Sequence, residues 1–328
     1  MKKRAARLLS LLLCLLLLLS AAPVSAAAAD DVDAGEEAVS NASTKYRALL
    51  IGEYRFPSSV EQDGVAARMK GDVLQMKKLL SSARGGKGGK YSVTYRYNRT
   101  NAQIHSLINS TFKGAKSTDV SLFFISTHGV VGEPKTSPFA GALLTVNSQG
   151  KNLDYLQLGT LASWLKDVPG KVIVIISSCS SGSAIVKDGQ IKLVGNGPGD
   201  PAAFDNAVIK TFARADEHIN DGTVGNGGPF RKNKFYVLTA SKHDETSWGR
   251  ERYDDSASGS YNFMTYYMRE GVSGKKPADS NKNKKITLAE LRSYVSKKCA
   301  RACRTTRGVT SIQHVQAYPA NSGFVIFR

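Results

Sequence analysis

Two residues in the chain have the chemistry of a nucleophile and its base. His128 closes the run FFISTHG and Cys179 closes KVIVIISSC, so each sits just past an apolar, strand-like segment. A thiol reacts as its thiolate and is mostly protonated near neutral pH. An imidazole within hydrogen-bond reach takes that proton and later hands it to a leaving amine. Together the pair suits acyl transfer through a thioacyl intermediate. Such chemistry also needs donors for an oxyanion. The backbone N–H groups of Gly129 and Cys179 are the candidates, because glycine at 129 lets the main chain come close. Around Cys179, the small residues Ser177, Ser178, Ser180, Ser181, Gly182 and Ser183 leave room for a substrate carbonyl.

Each residue also has a plainer reading. A cysteine at a strand end is ordinarily a small buried hydrophobe, and a histidine there ordinarily serves the fold. The pairing is what argues for function, since both sit at the polar end of an apolar run, 51 positions apart.

The elements that must position them follow an α/β rhythm. Strands are expected at 47–51, 91–97, 120–126, 171–177 and 235–240. Helices are expected over 64–82, 100–112 (capped by Thr100 or Asn101), 156–166, near 201–217 and near 260–270, with a hairpin excursion at 133–153. Val120–Ser126 is nearly all apolar and Lys171–Ser177 is the most hydrophobic strand of the chain, as in strands covered on both faces. This alternation predicts an α/β fold, a mostly parallel sheet with helices on both faces and right-handed crossovers. In such sheets functional groups gather beyond the carboxyl ends of the strands. The expectation is therefore that the strands ending in His128 and Cys179 are neighbours.

The amino terminus sets the expected compartment. Lys2, Lys3, Arg4 and Arg7 precede an apolar run from Leu8 to Leu19, and Val24-Ser25-Ala26 has the small-x-small form of a cleavage site. Residues 1–26 therefore read as a secretory signal peptide, too short in its apolar part to span a bilayer comfortably. Residues 27–44 read as a flexible leader and 45–328 as one domain. No later segment is apolar enough to cross a membrane, and the mature chain is expected to be secreted or held at the cell envelope.

Removing Cys14 with the signal leaves Cys179, Cys299 and Cys303. An odd number implies at least one free thiol in an exported chain. Cys299 and Cys303, four apart in an expected helix, would pair only with strain. The formal net charge is +18. Lysine and arginine are scattered without an aromatic-interleaved stripe, so no specific nucleic acid is expected. Attraction to anionic cell-envelope polymers is the better match.

These motifs bring the chain to a known family. It resembles the caspase–legumain–metacaspase clan of cysteine peptidases, in the bacterial caspase-like branch. The resemblance runs over 45–328 through RALLIGEY, KGDVLQMKKLL, FFISTHG, LASWLKDVPGKVIVIISSCSSGS, FYVLTASKHDETSWG and QHVQAYPANSGFVIFR. It implies a caspase-like α/β/α sandwich and protein or peptide substrates. It also implies His128 and Cys179 as the catalytic dyad, with Gly129 as an oxyanion donor. The spacing between His128 and Cys179 matches the separation of about fifty residues in caspase signatures. One departure stands out: relatives often carry an acid two positions before the cysteine, where this chain has Ser177. In metacaspase-like members that acid helps bind a basic P1 side chain. Asp244 and Glu245 are candidate replacements. Glu53 and Arg55, after the first strand, are candidate pocket residues. Each also reads as an ordinary surface charge, so the P1 preference stays open.

The segment 279–290 (DSNKNKKITLAE) places oxygen ligands at EF-hand positions 1, 3, 5 and 12: Asp279, Asn281, Asn283 and Glu290. Lys285 offers its carbonyl at position 7, and Ile286 is the apolar position 8. Lys284 replaces the usual glycine, and three lysines repel a divalent cation. The loop is thus a calcium candidate or a helix entry closed by a capping box. Cysteine chemistry itself requires no cofactor.

The leading expectation is a secreted cysteine endopeptidase hydrolysing peptide bonds. Two alternatives stay open: an inactive caspase-like protein binding envelope polymers, and a transpeptidase or ligase at the same site. Segments 187–200 and 218–233 lie where relatives are often cut, and also read as surface loops.

Overall fold

The computed structural model describes residues 43–56, 65–130, 142–146, 153–179, 184–187, 190–193, 209, 211–213, 215, 233–240, 247–250, 259–306, 309 and 311–328. For residues 65, 130, 153, 179, 184–187 and 190–193 only the backbone is described. All of these residues fall in one compact unit, Asn41–Arg328. The expected signal peptide, Asp244 and Glu245 lie outside the described residues. Among the described residues no helix is long and apolar enough to cross a membrane.

The chain alternates strands and helices: β1 (Tyr46–Gly52), α1 (Val65–Ser82), β2 (Tyr91–Tyr97), α2 (Asn101–Thr111) and β3 (Val120–Val130). A hairpin of β4 (Ala142–Val146) and β5 (Leu153–Gln157) leads into α3 (Leu158–Lys166) and β6 (Lys171–Cys179). The helix expected from 156 starts two residues later, because Leu153–Gln157 pairs as a strand with β4. A ribbon of β7 (Ala184–Lys187) and β8 (Gln190–Leu193) follows. After β9 (Phe235–Thr239), short strands β10 (Gly249–Arg250) and β11 (Tyr261–Asn262) pair and lead into α4 (Phe263–Val272). The chain ends with β12 (Ile286–Thr287), α5 (Leu288–Thr305), β13 (Gln316–Tyr318) and β14 (Val325–Phe327).

The main sheet runs in the order β13-β9-β6-β3-β1-β2. Along that path the strands are parallel except β13, which returns antiparallel along β9, while β4 and β5 extend the sheet from β3 as antiparallel strands. Both faces are covered, so the alternation of side chains splits one apolar run into two cores. On β3, Leu122 and Phe124 pack with α1, α4 and α5, while Phe123 and Ile125 pack with α2 and α3. On β6, Ile173 and Ile175 join the first core; Val172, Val174 and Ile176 join the second.

Local chemistry fixes the helices. In α1, Met69, Val73, Met76, Leu79 and Leu80 recur at helical spacing and are buried on the sheet. Thr100 caps α2: its side chain accepts from the Gln103 N–H, and Gln103 Oε1 accepts from the Thr100 N–H. The helix pattern near 201–217 appears as helical residues at 209, 211–213 and 215, with Phe212 buried against Phe235.

Candidate active site

The two strands that carry His128 and Cys179 are adjacent and parallel. Their register runs unbroken from Val120↔Lys171 to Ser126↔Ser177, Thr127↔Ser178 and His128↔Cys179. The histidine and the cysteine are thus paired across one inter-strand step, about 4.8 Å wide. Pairing with the outer neighbours stops earlier, at Gly52 on β1 and Thr239 on β9. Beyond Ser126, β3 leaves β1 and pairs with β4 instead, at Gly129↔Leu143 and Val130↔Ala142. Position 179 has the parity of Ile173, Ile175 and Ser177, and position 128 that of Leu122, Phe124 and Ser126. Both sequences of positions belong to the sheet face covered by α1 and α4.

His128 is 1% exposed. The Phe56 ring lies over it, with centroids 4.9 Å apart. Burial, and secondarily the positive charge of Arg68, lowers its pKa from 6.5 to about 4. The imidazole is therefore neutral at pH 7. Among the described residues its Nδ1 finds no hydrogen-bond partner, which leaves a ring nitrogen available to take a proton. Gly129 is buried beside it on the extension of β3.

Sequence reasoning missed Asp72. This aspartate on α1 is buried and gathers donors from four other elements, β3, β6, β11 and α4. Oδ1 accepts from the Asn262 N–H at 2.8 Å and from the Thr265 hydroxyl. Oδ2 accepts from the Ser126 and Ser177 hydroxyls, both at 2.8 Å, and from the Asn262 amide. The Asn262 amide also donates to Ser177 Oγ at 3.2 Å. Desolvation raises the Asp72 carboxyl above its ordinary value, and these bonds pull back against it. A carboxylate thus meets residue 177 after all, supplied by a helix rather than by β6. The available signal was an acid on the inward stripe of KGDVLQM, where it must find partners or stay uncharged.

The other candidates are placed as follows. Glu53 follows β1 with the parity of Leu49 and Ile51, so it sits on the opposite sheet face from Ser126 and Ser177. It is fully buried, and Oε1 accepts from the Arg99 N–H at 2.8 Å. Burial pushes its carboxyl well above 4.5, partly offset by the backbone amides of Arg99 and Val146. Arg55 is exposed, its N–H donating to Asn98 Oδ1 at 2.9 Å, one residue before the ring that covers His128. Cys299 and Cys303 form no disulfide and are buried in α5, and burial pushes the Cys299 thiol well up.

The 279–290 loop draws its oxygen ligands together. Asp279 accepts from the backbone of Asn283 and Lys284, Asn281 from Asn283, and Asn283 from Lys285. Lys284 stands at φ 64°, the left-handed conformation that favours glycine at this position. Glu290 reaches back to Ser280 with one oxygen and closes a capping box on Thr287 with the other. Burial alone would raise its carboxyl, but the bonds from Thr287 and Ser280 hold it below the usual range. The donor set is all hard oxygen, which fits calcium. Among the described residues no three His, Cys, Asp or Glu side chains cluster as a metal site.

Comparison with known proteins follows the same lines. A caspase domain model matches residues 45–308. Caspase-1 from Spodoptera frugiperda is similar in structure, with TM-score 0.49 and 13% identity, covering 84% of this chain and 86% of that one. A protein from Geobacter sulfurreducens gives TM-score 0.47 and 13% identity, covering 87% and 100%. A comparison with curated proteins by sequence gave no match. Since the domain match spans most of the chain, including both strands that pair His128 with Cys179, the protein belongs to the caspase domain family of cysteine peptidases.

Proposed function

We propose that this protein is an exported cysteine endopeptidase in which Cys179 is the nucleophile and His128 the general base. The observation that carries the reading is the register pairing His128↔Cys179 at the carboxyl edge of the sheet. The thiol proton passes to the open Nδ1 of His128, and the thiolate sulfur adds to the scissile carbonyl carbon. The backbone N–H groups of Gly129 and Cys179 stabilise the oxyanion. The C–N bond breaks, the imidazolium protonates the departing amine, and a thioester remains. Water, giving its proton to His128, then adds to the thioester carbonyl. The C–S bond breaks, the acid product leaves and the thiol is restored.

A base with a pKa near 4 is weak, but it is not fixed there. The thiolate that forms beside it favours the imidazolium, and movement of Phe56 would admit water. Protein or peptide chains are the substrates, and export follows residues 1–26. No metal takes part in the steps; calcium belongs, in this reading, to the 279–290 loop.

The test is a fluorogenic peptide panel varied at P1, with Cys179→Ala and His128→Ala as controls. Each variant should lose turnover by at least a thousandfold while keeping its circular dichroism spectrum. A mature chain in which iodoacetamide never labels Cys179, or whose turnover survives Cys179→Ala, refutes the reading.

A further inference from the structure

The catalytic edge is one end of the sheet. At the other end, the amino ends of β1, β2 and β3 carry cations. Lys45 precedes β1 and Lys90 precedes β2, and Tyr46↔Tyr91 pairing makes these lysines neighbours. Arg84 bridges Lys90, and the Arg328 N–H donates to the Arg84 carbonyl at 2.9 Å. Lys116 stands just before β3, its N–H on Asp119 Oδ2 at 3.1 Å. Lys87 lies in the turn between α1 and β2. All six are exposed.

The turn that carries Lys87 and Lys90 is built to hold its shape. The Lys87 N–H donates to the Tyr46 hydroxyl at 2.7 Å. Gly85 N–H donates to Gly89 O at 2.8 Å, and Gly88 N–H to Gly85 O at 2.7 Å. A Cβ at Gly85 would fall 1.9 Å from the Tyr46 ring, and one at Gly89 2.6 Å from it. The main chain therefore wraps the buried Tyr46 ring and leaves the lysines on the outside. Asp119, the acid that opens β3, does not neutralise them: it is buried and held by Arg47 and by the amides of Lys45 and Lys116.

We propose that this edge is a docking surface for a phosphodiester-linked anionic polymer of the cell envelope. Strand pairing sets the main chain at Lys45 and Lys90 about 5 Å apart, inside a Debye length of about 8 Å. Lysine dominates, and it binds phosphate as a point charge without demanding a planar fork. Among the described residues, the aromatic rings at this edge, Tyr46, Tyr91 and Phe327, are buried and offer no stacking platform for single-stranded nucleic acid. Substrate access is preserved, because strands of seven residues separate this edge from the opposite one by about 20 Å.

The test uses the full mature chain and soluble poly(glycerol phosphate) at low salt. The triple variant Lys45→Glu, Lys87→Glu, Lys90→Glu should weaken binding at least tenfold and flatten its salt dependence. Turnover of a fluorogenic peptide should stay unchanged, which separates this proposal from the peptidase reading. The control Lys297→Glu, Arg301→Glu, Arg304→Glu, on the exposed side of α5, should cost less than threefold. Lysine acetylation of the unaltered chain supplies a readout that needs no variant: Lys45, Lys87, Lys90 and Lys116 should be protected by the polymer. Equal loss in both triple variants, absence of that protection, or binding to duplex DNA or anionic vesicles as tight as to the polymer would overturn the proposal.

Discussion

Asp72 and Ser177 lie 105 positions apart and share a hydrogen bond of 2.8 Å, with the carboxylate on α1 accepting from the hydroxyl on β6. The same carboxylate oxygen holds Ser126 on β3. Ser126 and Ser177 are register partners, each two residues before the paired His128 and Cys179. One buried anion therefore ties together the two strand tips on which the proposed chemistry depends. It also brings a carboxylate to position 177 from another element.

Breaking that tie should be costly. Asp72→Asn keeps the shape but turns an acceptor into a donor facing hydroxyl and amide donors. A loss of about 3 kcal/mol is expected, read as a lower midpoint in urea unfolding. Ser177→Asp would set two carboxylates within about 3 Å, which cannot both ionise. It should destabilise at pH 7 and recover part of the loss near pH 4. A Ser177→Asp midpoint unchanged at pH 7 would contradict this account.

The covered histidine predicts an unusual pH profile. With a pKa of about 4, the imidazole stays neutral well below the usual range. The acid limb of kcat/KM should therefore have its midpoint near 4 rather than 6.5. Phe56→Ala should wet the ring and move that midpoint upward. A wild-type limb centred between 6 and 7 would mean the ring is solvated before substrate arrives.

Glu53 and His128 pull stability in opposite directions. The Glu53 carboxyl is raised well above 4.5 by burial. The folded state thus holds its proton more tightly, and this contribution is lost as pH climbs from 4.5 through the folded value. His128 is lowered from 6.5 to about 4, so its contribution is full above 6.5 and is lost as pH falls towards 4. Glu53→Gln should remove the loss on the rising side, giving a urea midpoint less sensitive to pH above 4.5. An identical slope in wild type and variant would show that Glu53 is solvated.

Calcium should act on the 279–290 loop and leave the chemistry alone. Millimolar calcium is expected to raise the melting temperature by a few degrees, and Glu290→Gln to abolish the rise. Chelator should leave turnover of a fluorogenic peptide unchanged. No thermal shift at 10 mM would leave the loop as a capped helix entry only.

Much of the architecture was open to inspection in the residues. VSLFFIS is nearly all apolar and KVIVIIS is apolar between its polar ends, so both faces of each strand carry apolar side chains, as in strands covered on both sides. Helical spacing marked α1, and Thr100 marked the start of α2. Boundaries failed where two signals overlapped, as at Leu156–Gln157, which is compatible with a helix until β4 claims it as a pairing partner. The antiparallel return of β13 had no local signature, because strand direction depends on where the chain re-enters the sheet.

By itself the sequence determined which side chains have reactive chemistry and which segments must be covered, since composition and period act locally. Tertiary structure alone decided that His128 and Cys179 occupy the same rung of the sheet, that Phe56 shields the imidazole, and that Asp72 meets Ser177 from another element. These are relations between positions tens to more than a hundred residues apart. They are set by strand register and by the need of a buried carboxylate for donors, and no local pattern encodes who the partner will be.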